Sequence, residues 1–233
     1  STRTTSSAAS DVYKRQVSEH SGYHHGEQSL NGAIINMAQN FVGSNNINLL
    51  EPNGQFGTRL QGGKDHASER YIFTRLSHIT RNVFPPEDDA ILKYLDDDGQ
   101  MVEPVYYVPI IPMILVNGAV GIGTGFSTKI PCYDPKTLIN IVRNKIKDPQ
   151  YQLEEDIFPA YKNFKGYIDK IGDDKYQTNG VYEIGPGGKS IIVTELPIGT
   201  WNEDYLVFLE KLLNAKNSVL KDYNDKSTDK DVY

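Results

Sequence analysis

"NGQFGTRLQGGKDHASERYIFTRL", residues 53–76, poses the questions of fold and function together. A glycine-rich, basic turn runs into Arg70 and Tyr71, with Arg59, Lys64 and His66 within twelve residues of the tyrosine. The β-branched and aromatic run "YIFTRL" predicts a strand. Asp65 is placed to cap a short helical turn through "HASER", and Ser77 to cap a helix that stops before Pro85 and Pro86. Upstream, "INLLEPNGQFGTRL" at 47–60 predicts two short strands around the Pro-Asn-Gly turn at 52–54. Before that, "SLNGAIINMAQNF" at 29–41 puts Leu30, Ile34, Met37, Ala38 and Phe41 at helical spacing, with Ser29 as N-cap. A helix followed by a strand pair is the sequence pattern of a winged-helix module. Within that pattern Tyr71 has three readings: a half-buried strand residue, a base-stacking platform or a nucleophile. Nucleophilic use needs cations nearby, because a phenol with a pKa near 10 is a weak nucleophile at neutral pH.

The totals describe a globular chain of one large domain or two small ones: 233 residues, 38% apolar and 23% charged. The greasiest stretch, "VPIIPMILV" at 108–116, is short and interrupted by two prolines, so no membrane span is expected. The single Cys132 rules out an internal disulfide framework and fits a reducing compartment. Net charge is −6, but it is unevenly spread. Residues 17–84 are balanced, with five acids and five Lys or Arg, and hold all five histidines, whereas residues 85–233 carry 24 acids and 16 bases. The groups able to meet phosphates therefore concentrate in the first half.

Along the remainder, "STRTTSSAAS" has the composition of an unstructured or foreign tail, assigned to residues 1–16. "DDDG" at 96–99 reads as a turn. A helix is predicted from Pro135 to Lys147, then strands in "GYIDKI", "KYQTNGVYEI" and "SIIVTELP", then a helix from about Asn202 to Leu213. A domain boundary is placed near Tyr133 and Asp134. "EIGPGGKS" at 183–190 misses the first glycine of a phosphate-binding loop and leads into a strand, so it reads as a hairpin turn. "GAVGIGTG" at 118–125 does not give the dinucleotide spacing. His20 and His24 lack the companions of a metal site. His24 and His25 precede a helix start, where an anion is favoured, and read as phosphate donors.

"EHSGYHHGEQSL", "AQNFVGSNN", "NGQFGTRLQGGKDHASERYIFT" and "PMILVNGAVGIGTGFSTKIP" resemble the DNA cleavage region of eukaryotic-type type IIA DNA topoisomerases, which large DNA viruses also encode. The similarity runs from about Val17 to Pro131 and continues more loosely through "VTELPIGTW" at 193–201. It implies that Tyr71 attacks a DNA phosphodiester and becomes linked to the 5′ phosphate. Arg70 would support the scissile phosphate and His25 would contact DNA beside it. Ile122 would insert between base pairs to bend the duplex. His24, Arg59 and Lys64 join this set as expected DNA contacts. The implied fold is α+β: a winged-helix cleavage domain over 17–134, then part of an α/β tower domain over 135–233.

The resemblance further implies an ATP-dependent isomerase that acts on double-stranded DNA as a homodimer in the nucleus, or at a viral replication site, with no membrane partner. The family's ATPase domain, acidic metal-binding domain and C-terminal dimer gate are not among these residues, so Mg2+ and ATP are expected to bind outside them, and the piece alone is expected to be inactive. Two other classes stand beside this one. One is a winged-helix module that binds and bends DNA without chemistry, which Tyr71 counts against. The other is a protein-interaction domain dominated by its acidic second half.

Overall fold

The computed structural model of the chain describes residues 26–233, so His20, His24, His25 and the tail assigned to 1–16 lie outside the described residues. The described chain is a mixture of helices and short antiparallel strands, the α+β class the sequence implies. It falls into two units whose segments interleave. The first takes the described residues up to Gln39, with Asn48–Phe56 and Ala67–Met113. The second takes Asn40–Ile47, Gly57–His66 and Ile114–Tyr233.

The first unit opens with helix α1, Glu27–Ala38. It starts two residues ahead of Ser29, and its N-cap is Gly26, which supplies no side-chain bond. The Ser29 amide already donates to the Gly26 carbonyl (2.9 Å), so Ser29 lies inside the first turn rather than in front of it. Ile35 and Ala38 bury one face of α1 and form a cluster with Phe56 and Ile72.

That cluster explains a second departure. Residues 47–60 do not fold back as a hairpin around 52–54; residues 49–53 pair instead with 73–77. Leu50 lies opposite Leu76 and Asn53 opposite Phe73. Asn53 and Phe73 exchange both amide bonds (3.1 and 2.9 Å), while Glu51 N–H reaches Arg75 O and Ser77 N–H reaches Leu49 O, each at 2.9 Å. Pairing with the distant partner brings Phe56 and Ile72 into one apolar cluster. Helix α2, Thr80–Val83, does stop before Pro85, but its N-cap is Ile79, and Ser77 contributes only its carbonyl, to Thr80 N–H. Strands β1 (Tyr94–Asp97) and β2 (Gln100–Pro104) form a hairpin at the expected 96–99 turn. Asp98 (φ 51°) and Gly99 (φ 84°) are both left-handed, as a two-residue turn of this hand requires.

Helix α3 (Met113–Val116) begins on the last residue of the first unit, and the second unit goes on with β3 (Ala119–Gly123), β4 (Phe126–Ile130), α4 (Pro135–Lys147), β5 (Tyr167–Gly172), β6 (Lys175–Asn179), β7 (Val181–Ile184), β8 (Ile191–Glu195) and α5 (Asn202–Leu213). The expected helices α4 and α5 are present. Asp134 caps α4 by accepting from Thr137 N–H (2.8 Å) and its hydroxyl (3.0 Å), Pro135 occupies its first turn, and Lys145 and Lys147 face its negative end. "KYQTNGVYEI" is two strands, not one. The chain breaks at Gly180, where a Cβ would stand 2.2 Å from the Glu195 carbonyl oxygen. "EIGPGGKS" is the β7–β8 hairpin turn, closed by Gly185 N–H to Ser190 O at 2.9 Å. Asn46 fastens residues 40–47 to this unit: its amide donates to Tyr133 O (3.0 Å) and Ala160 O (2.8 Å) and accepts from Lys162 N–H (2.8 Å).

Cys132 is buried, and loss of hydration pushes its thiol up to about 11 from an ordinary value of 9.0. The unfolded chain therefore ionises first as pH rises, so this group's contribution to stability falls between pH 9 and about 11 and is flat below 9. Iodoacetamide at pH 8 should label Cys132 at least ten-fold more slowly in the native protein than in urea.

Candidate active site

Tyr71 ends a short 3-10 turn, Glu69–Tyr71, rather than starting a strand. Its amide donates to the Ser68 carbonyl at 2.9 Å, and Asp65 does not cap this turn. The next residue decides where the phenol points. Ile72 has extended backbone (φ −122°, ψ 149°) and is buried in the α1 cluster. Gly54, at φ +116°, passes so close that a Cβ there would sit 3.0 Å from Ile72 Cγ2. Phe73 is then fixed by its two bonds to Asn53. With Ile72 drawn inward and the chain anchored on both sides, Tyr71 is turned to solvent and is 75% exposed. Arg70 beside it is also exposed and takes part in no ion pair among the described residues. Tyr71 and Arg70 are thus consecutive on a braced turn, and both are exposed to water.

The second unit holds the other expected residues. Gly57–His66 is a loop closed on itself: Thr58 N–H donates to Asp65 Oδ1 (2.8 Å), the Thr58 hydroxyl bonds Asp65 Oδ2, and Gly63 N–H donates to Thr58 O (2.8 Å). Asp65 therefore shapes the loop instead of starting a helix. A Cβ on Gly57 would fall 2.6 Å from Gly63 Cα, so the two strands of the loop can meet only at glycine. Lys64 is exposed at its turn.

Arg59 is placed differently from the expectation of a phosphate contact. It is 5% exposed, and its guanidinium pairs with Glu195, which is 1% exposed. A charge held this way is committed to the protein interior. Glu195 is the residue that sequence reasoning missed. The only signal was an acid closing the strand "IIVTE", and a partner 136 residues away is not legible from spacing.

Ile122 lies in β3, not in an irregular loop. β3 and β4 form a hairpin with Ile122 opposite Ser127, Val120 opposite Lys129, and Gly123 opposite Phe126, joined through Thr124 and Gly125. Ile122 is 89% exposed. By strand alternation, Val120, Ser127 and Lys129 share its face and Phe126 points to the other. At the hairpin base, a Cβ on Gly118 would stand 2.5 Å from Ile130 O. Gly121 has nothing within 4 Å of its missing Cβ. Among the described residues, then, nothing packs against it.

Among the described residues no three His, Cys, Asp or Glu side chains stand together to hold a metal ion. No helix there is long and apolar enough to cross a membrane.

The A-subunit family model of DNA gyrase/topoisomerase IV matches residues 7–233. The chain belongs to this family. Among its relatives, it is 52% identical over 219 residues to DNA topoisomerase 2 of Bombyx mori and 51% identical over 220 residues to DNA topoisomerase 2-alpha of Homo sapiens. Each alignment covers 93% of this chain and 14% of the relative, so the chain spans about a seventh of the curated topoisomerases it matches. The DNA-binding, cleavage and re-ligation domain of Plasmodium falciparum topoisomerase II superposes with a TM-score of 0.87 at 50% identity, over 92% of this chain and 29% of that one. The resemblance to eukaryotic type II topoisomerases read from the sequence is thus borne out across nearly the whole chain.

The two sides of Tyr71 should respond differently to substitution. Tyr71→Phe should change unfolding free energy by no more than about 0.5 kcal/mol, as for other exposed positions. Ile72→Ala should cost about 2–5 kcal/mol, as for other buried aliphatic truncations. Urea denaturation of both variants measures the contrast.

Proposed function

We propose that this chain is part of an ATP-dependent type IIA DNA topoisomerase, that Tyr71 is its nucleophile, and that the enzyme passes a second duplex through a transient double-strand break. The observation that carries the reading is the outward placement of Tyr71 beside Arg70, secured by an inward neighbour and reciprocal backbone bonds. The Tyr71 oxygen attacks a phosphodiester phosphorus, the new O–P bond links the tyrosine to the 5′ phosphate, and the 3′ oxygen leaves as a hydroxyl. Attack by that hydroxyl on the same phosphorus reverses the step and frees the phenol. One phosphoester replaces another, so resealing requires no external energy source. Arg70 places fixed positive charge beside the phosphoryl oxygens, where charge grows in the transition state.

Lys64 meets a phosphate from the glycine loop, and His24 and His25 add donors from the segment before α1. Ile122 enters a base step from the minor groove. The 89% exposure of Ile122, one residue pair from the hairpin turn, supports that reading, because it leaves the side chain free to enter a base step. The Mg2+ and ATP that the resemblance implies would be held by other parts of the full-length enzyme. That enzyme works as a nuclear homodimer. Residues 17–134 act as its winged-helix cleavage domain and 135–233 as part of its tower.

In the full-length enzyme, Tyr71→Phe should abolish covalent protein–DNA adducts while leaving DNA binding within about two-fold, since one oxygen is removed from an exposed ring. Arg70→Ala should slow cleavage by roughly 100-fold or more, as loss of an oxyanion donor does. Adducts formed at the normal rate by Tyr71→Phe would place the nucleophile elsewhere. Ile122→Ala should flatten the bend measured by fluorescence energy transfer more than it weakens binding, because affinity comes mainly from phosphate contacts. An unchanged bend would make the hairpin a packing element.

A further inference from the structure

Besides its own bonds, the loop that carries Lys64 is braced by residues far along the chain. Three contacts fix Gly57–His66 from residues 195–203. The first is the Arg59–Glu195 ion pair. Glu195 is fully engaged: its Oε1 also accepts from Leu196 N–H (3.0 Å), and its Oε2 accepts from Lys165 N–H (3.1 Å). Arg59 sends a second nitrogen to the Lys230 carbonyl at 3.5 Å. The second contact is the Trp201 indole, against which Gly62 lies so closely that a Cβ would fall 2.3 Å from Nε1 and Cε2. Trp201 is held in turn by Phe41, edge to face with centroids 5.7 Å apart. The third is the start of α5, where Glu203 N–H donates to Leu60 O (3.1 Å) and Glu203 Oε1 accepts from Gln61 Nε2 (2.5 Å).

The structure assigns Glu195 and Trp201 as positioning residues for the Lys64 loop. They touch no reacting atom; they hold Lys64 where a DNA phosphate can meet it. The inference rests on the proposed reading of Lys64 as a phosphate contact. A buried arginine requires its carboxylate, since removing one partner leaves the other charge desolvated and unpaired. Loss of Glu195 should therefore drive Arg59 toward water and carry residues 57–66 with it. Gly62→Ala loosens the same loop by another route, pressing a methyl into the indole while leaving the ion pair's chemistry intact.

The test uses the full-length enzyme and a plain duplex, with Kd measured across about 50 to 200 mM salt. One lost phosphate contact lowers the slope of log K against log salt by about 0.9, roughly a three- to four-fold smaller loss of affinity over that range. Lys64→Ala should show this decrease. Glu195→Gln and Gly62→Ala should each reproduce it, with faster hydrogen exchange at the Gly63 and Lys64 amides and unchanged exchange in α4. Combining either with Lys64→Ala should lower the slope no further. If Lys64→Ala leaves the slope unchanged, the phosphate reading of Lys64 fails. If Lys64→Ala lowers the slope but neither positioning variant does, or if the loop amides stay protected in both, the phosphate reading stands and the positioning role is overturned. Gly62→Ala keeps the test decisive should Glu195→Gln fail to fold.

Discussion

Backbone pairing between residues 49–53 and 73–77 is the constraint on which the arrangement around Tyr71 depends. The paired segments are separated by a glycine-rich excursion that belongs to the other unit, so no local turn propensity makes them meet. They meet because Phe56 and Ile72 bury together against Ile35 and Ala38, and the amides beside them then need partners. Each supplies what the other lacks: the cluster gives the free energy, and the bonds between Asn53 and Phe73 give the register. A slip of one residue would turn Ile72 outward and Tyr71 into the cluster. The exposure of the phenol is thus a property of register, not of the tyrosine.

In the other unit, polar interactions carry more of the specification. Asn46 uses both ends of its amide to join three backbone segments. Asn117 does the same with Ile47, giving and taking one bond at 2.8 and 2.9 Å. The Arg59–Glu195 pair adds a charge to this scheme. Such pairs contribute little net stability, because desolvation offsets much of the attraction, but they penalise any arrangement that leaves one member alone. Their effect is to exclude alternatives for a loop with three left-handed glycines, Gly57, Gly62 and Gly63.

Elements whose cause is local were legible in the sequence. Helix α4 shows its Asp-Pro start, its apolar spacing and its basic end. The β1–β2 turn shows Asp98 and Gly99, and the β7–β8 turn its glycines. What spacing hid was governed by partners far away. Ser29 and Ser77 are good caps that cap nothing: Ser29 already lies in the first turn of α1, and the N-cap of α2 is Ile79, two residues beyond Ser77. Asp65 turned to Thr58, and "YIFTRL" gave up regular strand structure to serve the cluster. At the candidate site, the motif that points to Tyr71 and Arg70 is continuous, so the sequence alone singles them out as candidates. The burial of Arg59 against Glu195 was hidden, because nothing in a run of cations shows which of them is paired inside.

The long reach of that ion pair also orders events during synthesis. Every described sheet joins two consecutive strands, so each hairpin can close as soon as it is made. The support for Tyr71 is complete once Ser77 has been added. The Lys64 loop must wait for Glu195, 136 residues after Arg59, a delay of about 7 to 27 s at 5–20 residues per second. During that interval Arg59 has no carboxylate to enter with. A ribosome pausing before residue 195 would leave the tyrosine's frame built and the basic loop open.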